Sequence, residues 1–362
     1  MTEQPPLIHA LMMPDYRRDN PYQALLVEAI EANNVKVAFP YGNRRGLPIL
    51  RAILDQPQPI DVLHLHWLEW YLKGNSPIVK YFYALKLLVD ILLVRFVGIR
   101  IVWSVHNLVE HDTKFLRLEL WLQSILVRIV DHVILLNHST LEGIIEQYYC
   151  SRAKVSVIPH GHYRPFYSKT VTQADARNAL KLPPQARIYL NLGMLRPYKG
   201  IEDLLQAWQR KQTDLADCIL IIAGYASDIA YQRQLEALIA QTQNVVFYPQ
   251  FVEDEKVPLF FNAADVVVLP YRKILNSGSA ILAMSFGKPL IAPQMGSLPE
   301  ILQDAGQLLY DPNDSQGLSH ALQKSFHCDL TLLSQLTVQA CDRLDWQPIG
   351  QKTAQVYRQS GN

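Results

Sequence analysis

The sequence predicts an α/β protein made of two doubly wound halves, each a parallel sheet flanked by helices. Short β-rich runs alternate with helical segments along the whole chain, the pattern of parallel rather than antiparallel sheets. At 362 residues the chain exceeds what one ordinary core supports and suits two domains. A polar stretch, Ser168–Ala186, contains Pro183–Pro184 and separates two alternating series, reading as a linker with a small helix.

In the first series Leu7–Met13 reads as a strand. Asn20 then caps a helix that runs through Leu25 and Ile30, with Pro21 at its first position. Strands follow at Val35–Phe39, Asp61–His66, Ile101–Val105, Val133–Leu136 and Val155–Ile158, and the half ends near His160–Tyr163. In the second series the strands are Ile188–Leu192, Ile219–Ala223, Val245–Tyr248, Val266–Leu269 and Leu290–Ala292. Helices fit between them at Ile201–Arg210, Ile229–Gln241, Glu255–Ala263 and Ser279–Gly287. The halves are alike in pattern, without a residue-level repeat.

Composition excludes several classes. Hydrophobic residues make up 49% and charged residues 19%, a globular profile. A formal net charge of +1 argues against nucleic acid as the main partner. The 4 cysteines (Cys150, Cys218, Cys328 and Cys341) form no CxxC pair and suit neither zinc nor a disulfide framework, so a reduced, cytoplasmic setting is expected. The N-terminus lacks the basic start and apolar run of a signal peptide. The most apolar stretch, Tyr81 to Val105, is interrupted by Lys86, Asp90, Arg95 and Arg100, which disfavours a spanning helix.

Two segments of the second half carry the chemistry of a phosphate site. Gly193-Met-Leu-Arg-Pro-Tyr-Lys-Gly200 follows a strand and opens a helix, so backbone can approach a ligand and the helix N-terminus favours an anion. Arg196 and Lys199 add two cations, which would stabilise the charge gathering on a departing diphosphate. The plainer alternative is a surface loop with solvated charges. The second segment is Asn276-Ser277-Gly278-Ser279, before an apolar helix. Its N–H groups and hydroxyls could hold phosphate oxygens, or Ser277 or Ser279 could simply cap the helix. Both segments sit at C-terminal strand ends of one sheet, where ligands bind in open α/β folds.

The runs GMLRPYKGIEDLLQAW, LIIAGYASD, VVFYPQFVEDEKVPLFFNAADVVVLPY and AMSFGKPLIAPQMGSLPEIL resemble, in order and spacing, the donor-domain signatures of family 4-type GT-B glycosyltransferases. The C-terminal LDWQPIGQKTAQVYR resembles their last helices, which return to the N-terminal domain. DVLHLHW, IVWSVHNLVEHD, IPHGHY, RPYKG and PYRKILNSGSA are similar to a bacterial subgroup of GDP-mannose:glycolipid β-1,4-mannosyltransferases. The resemblance implies two Rossmann-like domains facing a cleft. Residues 1–163, joined by the C-terminal helix 346–362, would bind acceptor, and 164–345 would bind the nucleotide-sugar. It also implies transfer of a sugar, mannose from a GDP-sugar in preference to a UDP-sugar, to a glycolipid or saccharide acceptor in exopolysaccharide or cell-surface glycan synthesis, without cofactor or metal. Gly193, Arg196, Lys199, Asn276, Ser277, Gly278, Ser279, Gly224, His160 and Glu300 are the expected donor-site residues, Glu300 being as well explained by a helix start after Pro299. One departure stands out. The family's two glutamates, eight positions apart, fall near Ile274 and on Leu282 here, so ribose recognition and stereochemical outcome must be set otherwise. A nucleotide-sugar epimerase or a non-catalytic nucleotide-sugar-binding protein would share the fold.

An inverting transfer needs a base for the acceptor hydroxyl. The loop after the fourth strand supplies His106, Asn107, Glu110, His111 and Asp112. Glu110 is the first candidate and His106 the second, because histidine titrates near neutrality and burial tunes carboxylates upward. Asp112 reads as a helix cap. His64 and His66 alternate on a strand, so one should face the core, and Trp67 and Trp70 either pack there or stack on sugar. His64/His66 and His160/His162 have no acidic neighbour in sequence and make no metal motif. Between residues 73 and 128 basic side chains are set among apolar and aromatic ones. Such helices either lie on an anionic membrane surface, at its inner face, or pack in the core with solvated basic edges.

Overall fold

A computed structural model describes residues 6–18, 20–42, 46–106, 115–167, 171–211 and 217–359. The chain divides into two compact units, Met1–Gly161 with Leu344–Asn362, and His162–Arg343.

The first unit is built on an all-parallel sheet, β1 (Ile8–Met13), β2 (Val35–Ala38), β3 (Val62–Leu65), β4 (Arg100–Val105), β5 (His132–Leu135) and β6 (Val155–Val157), in the order β2-β1-β3-β4-β5-β6. Central strands covered by helices on both faces must be apolar almost throughout, and Ala10, Leu11, Met12, Val62, Leu63 and Leu65 are all fully buried. Asn20 caps the Pro21–Glu31 helix by accepting from Tyr22 N–H at 3.0 Å. The C-terminal helix, Trp346–Gln359, packs on this one at close range: a Cβ at Gly350 would stand 2.1 Å from Ala29 O. Tyr357 anchors it, its hydroxyl 2.7 Å from His64 Nδ1 and its carbonyl accepting from Arg100 Nη1 at 2.7 Å.

The second unit repeats the architecture with β7 (Arg187–Leu192), β8 (Cys218–Ala223), β9 (Val245–Tyr248), β10 (Val266–Val268), β11 (Leu290–Pro293) and β12 (Leu309–Tyr310). Its order is β12-β11-β10-β7-β8-β9, all parallel. Helices run over Ile201–Arg210, Ile229–Ile239, Val257–Ala263 and Gly278–Ser285, and the core centres on Trp208, whose ring meets Tyr189 edge-on at 5.3 Å. β12 has no sequence signal, since two residues are too few for a period.

The small helix expected within Ser168–Ala186 is present as Gln173–Ala179: it packs on Val257–Ala263, and Arg177, buried, donates to Asp265 Oδ2 at 2.8 Å and to Ala263 O at 3.1 Å. The segment reads as polar because an ion pair, not a hydrophobic stripe, fastens it. Among the described residues no helix is long and apolar enough to cross a membrane.

Candidate active site

In the second sheet the strand order reverses direction between β7 and β10, and in open α/β sheets ligands bind in the crevice at that switch point. The loops leaving β7 and β10 there carry the two segments expected to hold phosphate. Glycine makes their approach possible. Gly193 has φ 138° and Gly224 φ 152°, and a Cβ at Gly224 would lie 1.9 Å from Gly193 O. Gly200, at φ 67°, starts the Ile201–Arg210 helix, where a Cβ would meet Pro270 O at 2.1 Å.

Three expected site residues converge at one point. A Cβ built on Gly193 would stand 2.9 Å from Lys199 Nζ and 3.5 Å from Ser279 Oγ. Burial, reinforced by the charge of Arg196, pulls the Lys199 ammonium down to about 8. Arg196 turns its Nε to Met194 Sδ at 3.0 Å. A desolvated ammonium in the field of a second cation favours an anion beside it, because the anion offsets both the burial and the repulsion.

The helix Gly278–Ser285 completes the point. Its N-cap is Ser277, buried, whose Oγ accepts from Ala280 N–H at 3.0 Å and sits 2.8 Å from Tyr271 OH. The Ser277 oxygen thus serves as the cap, and its O–H proton stays available to a phosphate oxygen where Tyr271 is the donor of their shared hydrogen bond. The N–H groups of Gly278 and Ser279 belong to the first turn, which has no intrahelical acceptor for them. A Cβ on Gly278 would come within 3.3 Å of Tyr163 OH. Asn276 lies half-buried just before the cap. Glu300 sits in the first turn of the short Leu298–Leu302 helix, and the preceding Ser297 N–H donates to Leu275 O at 2.8 Å.

Sequence reasoning missed the clamp that joins the two loops. Arg272 donates through Nε and Nη2 to Asp203 at 2.6 and 2.8 Å and through Nη1 to Pro197 O at 3.2 Å, and its N–H donates to Tyr198 O at 2.8 Å. The rings of Tyr198 and Tyr271 stack at 6.4 Å. The Lys199 loop is thus tied to the segment that leads into the helix tip. Only the arginine itself signals this in sequence, because its partners lie 69 and 75 positions away.

In the first unit the order reverses between β1 and β3, and a histidine cluster lies past those strand ends. His66 Nδ1 is 2.9 Å from His106 Nε2, Trp67 stacks on His106 at 4.3 Å, and Tyr22 packs on His160 at 4.3 Å and edge-on to His106 at 5.2 Å. His64 is held by Tyr357 OH and by Ser104 Oγ at 2.8 Å. His160 Nδ1 lies 2.7 Å from Gly161 O, so that nitrogen carries the proton. Two expectations change here. Not one but both of His64 and His66, two positions apart on one face, are buried. Nor does His106 titrate near neutrality: burial first, then His160 and His64, hold it well below its ordinary value. Burial does the same to His66, lowers His160 to about 4, and lowers His64 to about 3. Among the described residues His66 Nε2 is buried without a hydrogen-bond partner. Trp67 packs within this cluster, whereas Trp70 is exposed beside Tyr16. Glu110, with Asn107, His111 and Asp112, lies outside the described residues. No group of three or more His, Cys, Asp and Glu among the described residues is arranged to hold a metal.

Two all-parallel Rossmann-type sheets, the second with a cationic glycine loop at its switch point, define the GT-B class of fold. Residues 172–340 match the family "Glycosyl transferases group 1". A GDP-mannose:glycolipid 4-beta-D-mannosyltransferase of Xanthomonas campestris pv. campestris is 29% identical over 253 residues, 68% of this chain and 65% of that protein. The chain thus spans just under two thirds of the length of this relative. Among solved structures, a sucrose-phosphate synthase from Thermosynechococcus elongatus superposes with a TM-score of 0.73 at 19% identity, covering 98% of each chain. Anabaena Alr3699/HepE, in complex with UDP and glucose, gives a TM-score of 0.73 at 18% identity over 96% of this chain and 98% of its own.

Proposed function

We propose that the chain is a glycosyltransferase that moves mannose from GDP-mannose to a lipid-linked saccharide, with inversion and without a metal, in the assembly of an exopolysaccharide or cell-surface glycan. The observation that carries the reading is the meeting of Lys199 Nζ and Ser279 Oγ beside Gly193 at the switch point. In the reaction the acceptor oxygen bonds to the anomeric carbon while the bond to the β-phosphate oxygen breaks. The pair leaves with GDP, and the acceptor proton passes to a base. Lys199, Arg196 and the first-turn N–H groups of Gly278 and Ser279 would take up the charge growing on the diphosphate. Glu110 is the base we favour. His106 is neutral at pH 7, as a base must be, but a depressed pKa makes it a weak proton acceptor. The side chains of Ile274 and Leu282 cannot accept hydrogen bonds from ribose, so ribose recognition differs from the family's or is weaker. The mannose and GDP assignments are supported by the name of the Xanthomonas relative and by the resemblance of the SGSA segment. The reaction would run on the cytoplasmic side of the membrane.

Incubating the chain with labelled GDP-mannose and extracted lipid-linked saccharides should give labelled lipid and GDP. Free epimerised sugar nucleotide, or nucleotide binding with no transfer to any acceptor fraction, would overturn the proposal.

A further inference from the structure

The Pro77–Phe96 helix is apolar on two faces. One face, with Ala84, Leu87, Leu88, Ile91 and Val94, enters the core of the first unit. The opposite face carries Ile78, Phe82, Leu85, Val89, Leu92 and Phe96, which are 83, 63, 54, 50, 48 and 89% exposed. Their spacing alternates between four and three positions, so they form one continuous stripe along the helix. Single exposed hydrophobics are ordinary, but an unbroken stripe marks a surface that is covered in use.

Charge identifies what covers it. Lys73, Lys80 and Lys86 rest their ammonium groups 5.9, 5.1 and 5.4 Å from the ring centroids of Trp70, Phe115 and Tyr83, Lys73 exposed and the other two half-exposed. Arg117 and Arg128 are exposed on the next helix, Leu116–Ile129. The acidic residues described between 73 and 128, Asp90 and Glu119, are 0 and 6% exposed, and Asp90 is spent on the N–H groups of Ile49 and Leu50 at 2.8 and 2.9 Å. An apolar stripe with a basic rim and buried acids repels a second copy of itself and complements anionic headgroups. Exposed Tyr81 and Trp121, 6.4 Å apart, are the amphipathic aromatics that settle at that depth.

We propose that the outer face of the Pro77–Phe96 helix lies in the headgroup layer of an anionic bilayer, parallel to its surface. This rests on, and deepens, the reading of a lipid-linked acceptor. Vesicle binding is measured without donor, so the failure of one does not decide the other. The full chain is sedimented with vesicles of phosphatidylglycerol and phosphatidylcholine, or of phosphatidylcholine alone. The anionic vesicles should carry it down, and the zwitterionic ones should do so at least about tenfold less well. The triple substitution Ile78→Asp, Phe82→Asp, Phe96→Asp should reduce binding by about tenfold or more. So should Lys80→Glu with Lys86→Glu, and so should salt near 1 M, which shortens the Debye length to about 3 Å. Melting temperature should be unchanged, since every altered apolar side chain is exposed. Wild-type chain left in the supernatant, or variants that bind like wild type, would overturn the proposal. A solution dimer that the apolar substitutions dissolve would also overturn it, by identifying a second copy as the occupant.

Discussion

Replacing Lys199 by Met should make the ligand-free chain more stable and the enzyme worse. The Lys199 ammonium is drawn from 10.5 to about 8 by burial and by Arg196, and at ~1.4 kcal/mol per unit this is a penalty on the order of 3 kcal/mol for keeping the charge in the folded state. The side chain is half-buried, so solvent screening makes that an upper bound and a gain of roughly 1–3 kcal/mol is expected. The sign follows from proton counts. Below the folded value both states hold the proton, and the penalty is present in full. Between the two values the unfolded chain keeps a proton that the folded chain has shed, so stability rises with pH. Above the ordinary lysine value the penalty is gone. Urea unfolding of the Met variant should therefore show its excess stability at neutral pH and lose it as pH climbs through this window. In the proposed reaction transfer should fall by more than about tenfold, because a preorganised cation would be removed from the leaving diphosphate. A variant no more stable than wild type at pH 7, or one that keeps its activity, would refute the reasoning.

Gly193→Ala should destabilise the second unit by about 1–3 kcal/mol, since φ 138° is a conformation L side chains rarely adopt; its methyl would also displace Lys199, so the thermal shift given by GDP should shrink. Arg272→Met should raise the donor KM roughly tenfold with little loss of folding stability, because it positions the Lys199 loop while largely exposed itself. Adding Asp203→Asn should change little more, and additive effects in that double mutant would mean that the two side chains act separately. Arg177→Met should lower stability by roughly 3 kcal/mol through loss of its buried ion pair, read as a shift in urea midpoint, with Asp265→Asn restoring part of it.

The strands were legible because a sheet covered on both faces demands unbroken apolar runs, and most boundaries fall within one or two residues of those read from the pattern. The glycine loop was legible because Gly193, Lys199 and Gly200 are local to one strand-to-helix turn. What escaped was set by distance. Arg272 reads as a surface charge until its acceptors on Pro197 and Asp203 are known. The histidines come from three separate segments, and His66 and His106 meet because β3 and β4 are neighbours in register, His64 beside Val102. Ser277 reads from sequence as a cap before it reads as a ligand, and its contact with the Tyr271 hydroxyl, six positions earlier, has no signal in the pattern. The Pro77–Phe96 helix, apolar on two faces, gives no period that tells inner from outer.

The most direct test is equilibrium binding of GDP and guanosine to the wild type and to Lys199→Met near pH 7. If Lys199 and the helix tip grip a diphosphate, wild type should prefer GDP over guanosine by tenfold or more, about 1.4 kcal/mol, and the preference should largely vanish in the variant. An undiminished preference for GDP in Lys199→Met would mean that the phosphates are held elsewhere.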